Sequence, residues 1–208
     1  MLHQLFLFIL PCLALSLLPG PDMLLIISRS LSQGRKFGIG AALGAGTGVF
    51  IHIFVVSVGL GSLLVKSALA FNIIKFLGAC YLLYIGVMSL LNKQNPILTD
   101  KKLKDVGTCK KVYWQGFLTN VLNPKVALFF LAFLPQFVVA HSQYSISQQI
   151  LFLGLLFNSI GTTNNLLIAC FFGAAKEWLS THPKVLNIQQ KITGALFIGL
   201  ALRLTVVE

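Results

Sequence analysis

An all-α polytopic membrane protein, built as one transmembrane domain, is the fold this sequence predicts, and three observations carry it. The 208 residues are 56% hydrophobic and 10% charged, with a mean hydropathy of +0.86, whereas soluble domains carry roughly a quarter charged residues. Six apolar runs, near 5–27, 38–64, 71–91, 112–139, 149–174 and 187–207, each reach the ~20 residues that a spanning helix needs. A polar insertion at 92–111 separates the halves 1–91 and 112–208. Three helices per half is an odd number, so the second half enters the membrane reversed, as in an inverted repeat.

The first run starts Met-Leu-His-Gln, without a basic region, and no small-x-small cleavage pattern precedes its interruption, so it reads as a retained helix rather than a signal peptide. Pro19, Gly20 and Pro21 break it, and Asp22 follows at once. Proline removes a backbone donor and blocks the preceding turn, so the freed groups need other partners at membrane depth. In the second helix Gly40, Gly44 and Gly48 recur every four residues beside Ala41 and Ala45. This leaves one face nearly bare for close helix packing. His52 lies one turn further along, where a lone histidine reads first as a hydrogen-bonded interior residue. The 92–111 insertion contains Gln-Asn-Pro and mixed charges, the pattern of a linker.

The fourth helix repeats the device of the first, with Asn123-Pro124-Lys125 as its break. An intramembrane charge costs at least ~2.5 kcal/mol, which makes a functional role the default hypothesis. The fifth helix holds Asn158, Ser159, Thr162, Thr163, Asn164 and Asn165 within eight residues. Asn158, Thr162 and Asn165 share one face by i, i+4, i+7 spacing, suited to a polar solute or to interhelical hydrogen bonds. Gln189, Gln190, Lys191 and Arg203 interrupt the sixth run.

The net charge of +11 is a topology signal rather than a sign of nucleic-acid binding. Loop one carries Arg29, Arg35 and Lys36; loop three carries Lys93, Lys101, Lys102, Lys104, Lys110 and Lys111; loop five carries Lys176, Lys184 and Lys191. The opposite side has only Lys66, Lys75 and Arg203, so both termini are expected outside the cytoplasm. Cys12, Cys80, Cys109 and Cys170 show no close spacing, and neither a disulfide nor a metal site is expected. No GxxxxGK[ST] loop, HExxH or GxSxG is present, so no ATPase, enzyme activity or cofactor is expected.

Ordered along the chain, several elements resemble the lysine exporter (LysE/RhtB) family of small bacterial amino-acid exporters. Pro19 to Asp22 is similar to its PGP-Asp/Asn element, followed by Ser28-Arg29-Ser30-Leu31-Ser32-Gln33-Gly34 and the glycine-rich second helix. Gly78 to Gly86 is similar to its GAxYLLYxG segment, and Gly116 to Lys125 to its GFLTNxxNPK segment, with Phe133-Leu134-Pro135-Gln136-Phe137 completing that helix. The resemblance covers roughly residues 15–140. It implies an inner-membrane exporter of amino acids or related metabolites, driven by an ion gradient. Leu18 departs from the hydroxyl that commonly precedes PGP, and Asn164 falls about where a tryptophan is expected. Because relatives carry Asp or Asn after PGP, an obligatory proton role for Asp22 is weakened.

Asp22 and Lys125 are expected to flank a pocket between the halves, matching the ammonium and carboxylate of a zwitterion. Counting ~1.5 Å per residue puts both in the inner half of the membrane at depths several ångströms apart, so contact between them is not required. Asn120 and Asn123 are expected to orient the solute, with capping as the equal alternative. A homodimer through the glycine face would thicken a thin six-helix wall. Export of a cation or small toxic compound is the alternative within the class, and a non-transporting scaffold is the alternative outside it.

Overall fold

Proline and glycine set the helix boundaries in the computed structural model, which describes residues 2–66, 108–139 and 142–174, with isolated helical positions between 73 and 91 and at 195 and 198. Helix α1 spans Leu2–Leu17, α2 Pro21–Gln33, α3 Arg35–Lys66, α4 Cys109–Val121 and α5 Pro124–Leu128. A π-helical turn, Phe129–Phe133, and a 3-10 turn, Leu134–Phe137, continue α5; α6 spans Ile146–Ala174. No strand occurs among the described residues. Apart from those isolated positions, the third and sixth predicted helices and Gly78 to Gly86 lie outside the described residues, as do linker residues 92–107.

Both breaks fall where the prolines place them. Pro21 and Pro124 each occupy the first helical position, where a missing N–H costs nothing and the ring pre-sets the backbone. The α1–α2 pair bends by 52° and the α4–α5 pair by 43°. Helices α3 and α6 are long and apolar enough to cross a membrane, and the bent pairs add two candidate spans if each is counted as one.

Three boundaries differ from the sequence reading. The first span runs on to Gln33, so loop one shrinks to Gly34, whose φ of 96° lies in the region that glycine adopts without strain. Arg29, expected in that loop, instead lies inside α2 and is buried. Residues 108–111 of the expected linker begin α4, with Thr108 accepting a hydrogen bond from the Lys111 backbone N–H as its cap.

The glycine stripe of α3 is covered within the chain. A Cβ at Gly44 would overlap the Tyr113 carbonyl, and one at Gly48 would come within 2.8 Å of the Phe117 carbonyl. Gly40 faces the Cys109 carbonyl, while on the opposing helix Gly116 lies against Ala41. Bare backbone on both sides brings α3 and α4 into direct contact, so this face is unavailable to a second copy.

Because α3 and α6 run past each other, their ends form two separate apolar clusters. The first joins Phe8 and Leu15 of α1 to Val49 and Ile53 of α3, Phe129, Phe130 and Phe133, and Phe157 of α6. Its rings pack tightly, with Phe129 and Phe157 stacked at 4.8 Å. The second joins Met23, Ile26 and Ile27 of α2 to Ala41 and Ala42 of α3, Val112 of α4, and Ile168, Ala169 and Phe172 of α6. Along α6, the polar residues from Asn158 to Asn165 fall between these clusters.

Candidate functional site

The polar layer is built from the two breaks. Helix α2 has extended Gly20 as its N-cap, with no side-chain cap, and Asp22 lies in its first turn. A carboxylate is favoured there by the helix dipole. Asp22 Oδ1 accepts from its neighbour's backbone N–H, Met23, at 3.0 Å. At the other break, Asn123 Oδ1 accepts from the Lys125 backbone N–H at 3.0 Å and caps α5. The same amide donates through Nδ2 to Asp22 Oδ1 at 3.2 Å, and Asn120 Nδ2 approaches Asp22 Oδ2 at 3.4 Å. Asn123 therefore caps one helix and ties it to the other break.

Lys125 reaches the opposite way. Its Nζ donates to the carbonyls of Leu18 at 3.0 Å and Leu15 at 3.3 Å and lies 3.9 Å from Asp22 Oδ1. Contact between the two charges, which the depth count did not require, is made. Lys125 sits in the first turn of its own helix, where the dipole opposes a cation; the carbonyl end of α1 supplies the opposite field. Gly20 leaves the room, because a Cβ there would stand 2.8 Å from Lys125 Nζ.

A narrow cavity of about 30 Å³ opens beside this pair, lined by Asp22, Asn120 and Lys125 on one side and Asn158, Thr162 and Asn165 on the other. That volume admits about two waters rather than an amino acid, so the arrangement is a closed one. Six of the seven residues expected to handle solute share this lining; the seventh, Asn123, stands behind Asp22. Thr162 Oγ1 donates to Asn158 Oδ1 at 3.0 Å, which occupies the amide's oxygen and leaves its NH₂ as the free donor. Asn120 Oδ1 is buried without a hydrogen-bond partner, on the side of Asn120 that packs against Gly48 of α3.

His52 Nε2 lies 3.1 Å from the Asn120 carbonyl, and the imidazole stacks on Phe130. A carbonyl acceptor places the proton on Nε2. Asn164, the residue at the tryptophan-like position, donates to the Ser16 carbonyl at 3.0 Å. Several contributors escaped sequence reasoning. The Leu15 and Leu18 carbonyls are backbone groups signalled only by the break after them. Gly46 leaves space that a Cβ would take from Thr162 Oγ1, although it lies off the four-residue glycine pattern. Arg29 Nη2 donates to Gln115 Oε1 at 3.0 Å, while its Nε and Nη1 are buried without acceptors. No cluster of three metal-ligating side chains occurs among the described residues.

Apolar broken helices that bring a carboxylate, an ammonium and several amides to the lining of one narrow hollow fit a membrane transporter. The model of the LysE type translocators matches residues 13–207, and the chain belongs to that family of translocators, which are not enzymes. It is 31% identical over 209 residues to the uncharacterized membrane protein YrhP of Bacillus subtilis, covering 97% of this chain and 98% of that one. An uncharacterized membrane protein of Vibrio cholerae is 30% identical, with 95% and 94% covered. The leucine efflux protein of Salmonella typhimurium is 28% identical over 202 residues, with 92% and 90% covered. No solved structure matches the chain.

Proposed function

We propose that this protein exports amino acids with apolar side chains across the bacterial inner membrane, in exchange for inward-moving protons. The observation that carries the reading is a cavity between the two breaks and α6 whose polar walls complement a zwitterion. Asp22, which lines it, accepts from the solute's ammonium. The Asn158 NH₂ and the Asn165 amide donate to its carboxylate, and Lys125 adds positive charge once its pair with Asp22 opens. Apart from Ser16, the remaining wall is apolar, with Val49, Val126, Met23 and Phe157, which suits an aliphatic side chain. Relatives named leucine efflux proteins support the same substrate class.

The aromatic cluster and the α2-centred cluster lie on either side of the cavity and act as the two barriers. With the termini outside the cytoplasm, solute enters past α2 and leaves past the phenylalanines. Asp22 is the one acid among the described residues, and it carries the exchanged proton. Pro19, Gly20, Pro21 and Pro124 shape the breaks about which the halves 1–91 and 112–208 rock.

Proteoliposomes loaded with labelled leucine test this directly. Efflux is expected to be saturable, to be competed by other aliphatic amino acids and to accelerate when a proton gradient is imposed against the solute. Asp22→Asn is expected to retain binding but lose that acceleration. Wild-type protein that releases no amino acid, or Asp22→Asn and Lys125→Ala that both transport normally, would refute the reading.

A further inference from the structure

The end of α1 is an oxygen cage with a cation already in it. Helix α1 stops at Leu17 because Pro19 and Pro21 follow, so carbonyls near its end are left for outside partners. The Leu18 carbonyl and that of Leu15, which also accepts from the Leu18 backbone N–H at 3.3 Å, converge with Asp22 Oδ1 on one point, and that point is occupied by Lys125 Nζ, 3.0 Å from Leu18 O, 3.3 Å from Leu15 O and 3.9 Å from Asp22 Oδ1. Carbonyl ends of interrupted membrane helices together with a carboxylate are the donor set by which secondary transporters coordinate small monovalent cations. Here the ammonium arrives on a side chain from the second break, and Lys125 is buried at 5% exposure. The glycine at position 20 keeps the approach clear, since any side chain there would meet Nζ and Cε.

We propose that the α1 carbonyl end and Asp22 form a monovalent-cation site, which Lys125 fills from within the chain in place of a dissolved ion. The tethered ammonium balances Asp22 whenever the carboxylate carries neither solute nor proton, so the native protein takes up no sodium. When solute arrives, its own ammonium replaces that of Lys125 at Asp22, and Lys125 turns to the solute's carboxylate. That last exchange rests on the amino-acid reading above. The cation site itself does not, and it can be tested without any amino acid.

Removing the tether should open the site to ions from solution. Purified Lys125→Ala is titrated with sodium chloride and separately with methylammonium chloride, with choline chloride holding ionic strength constant. Thermal unfolding and binding of radioactive sodium are the readouts. The expected result is a saturable rise in Tm of about 5 °C or more in one or both small cations. Wild type and the double variant Asp22→Asn/Lys125→Ala should show none. Sodium response marks an ion-sized cage, whereas response to methylammonium alone marks one that fits a primary amine; both support the site. A folded Lys125→Ala that responds to neither cation overturns it, and so does wild type that responds as strongly as the variant. If Lys125→Ala aggregates in choline, it is purified in each small cation instead. Recovery of monodisperse protein there supports the site, and equal aggregation in all three salts overturns it. Leucine efflux by wild type is scored separately, so either reading can fail alone.

Discussion

The two breaks come from similar sequence devices but contribute opposite chemistry. At the first, Gly20 offers no side-chain cap; the acid Asp22 lies in the following turn, and the preceding carbonyls are turned outward to a partner. At the second, Asn123 caps the helix with its own amide, and the base Lys125 lies in the following turn. The first break supplies a carboxylate, carbonyls that accept from across the interface and, at Gly20, room for the Lys125 side chain. The second supplies an ammonium and amide donors. Each break is incomplete alone: Asp22 needs the donors of Asn120 and Asn123, and Lys125 needs the oxygens at the end of α1. What this teaches is that a proline break sets only where backbone groups are freed, and the residues beside it decide which sign of charge it gathers.

The sharpest way to break the comparison is to remove one charge. Lys125→Ala leaves a buried carboxylate and two carbonyls without their cation, and loss of one partner of a buried pair costs about 3–5 kcal/mol. Denaturation in choline-containing detergent buffer should show that loss, with efflux down roughly 100-fold or more. The double variant Asp22→Asn/Lys125→Met should lose less stability than the two single changes summed, by at least about 1 kcal/mol. Strict additivity would mean the two breaks are independent.

Next in size is Gly20→Ala, which tests the first break's need for space. The added methyl stands against Lys125 Nζ and should cost about 1–3 kcal/mol, the range of overpacking. Efflux should fall at least tenfold through displacement of the ammonium. Asn123→Ala tests the second break's need for an amide. Loss of the cap alone costs about 1 kcal/mol, and loss of the donor to Asp22 adds to it, so thermal unfolding should reveal a decrease of about 1–2 kcal/mol. Asn123→Asp keeps the cap but places a second carboxylate beside Asp22; if it restores stability but not efflux, capping and charge support are separate roles.

The smallest effect on stability is expected away from both breaks. Asn158→Ala changes a half-buried residue and should shift stability by no more than about 0.5 kcal/mol. If its NH₂ meets the solute carboxylate, the half-saturating concentration for efflux should rise about tenfold or more, the worth of a hydrogen bond to a charged group. An unchanged value would remove Asn158 from solute recognition and leave Asn165 as the donor from α6.

Both breaks were legible in the sequence because proline and glycine act locally, and the membrane class followed from composition. The shared face of Asn158, Thr162 and Asn165 was legible too, since helical periodicity fixes it. Contact between Asp22 and Lys125 was not, because it depends on how two helices 100 residues apart rotate and cross. The carbonyls of Leu15 and Leu18 left no mark beyond the prolines after them, for every residue has a carbonyl. Arg29 was misplaced because a basic residue near a glycine reads as a loop, whereas α2 continues to Gln33 and buries it. The glycine stripe was recognised as a packing face, but sequence spacing does not say which helix comes to it; α4 of the same chain does.

Gly34 carries a mechanical consequence. With a single residue between them, α2 and α3 meet at a pivot, and Asp22 lies on the far end of a lever arm of ~18 Å at ~1.5 Å per residue. A tilt of about ten degrees there would swing the carboxylate by ~3 Å, comparable with the 3.9 Å that separates it from Lys125. The charges can thus be parted by leaning one short rod, while the long rod beside it stays seated against α4.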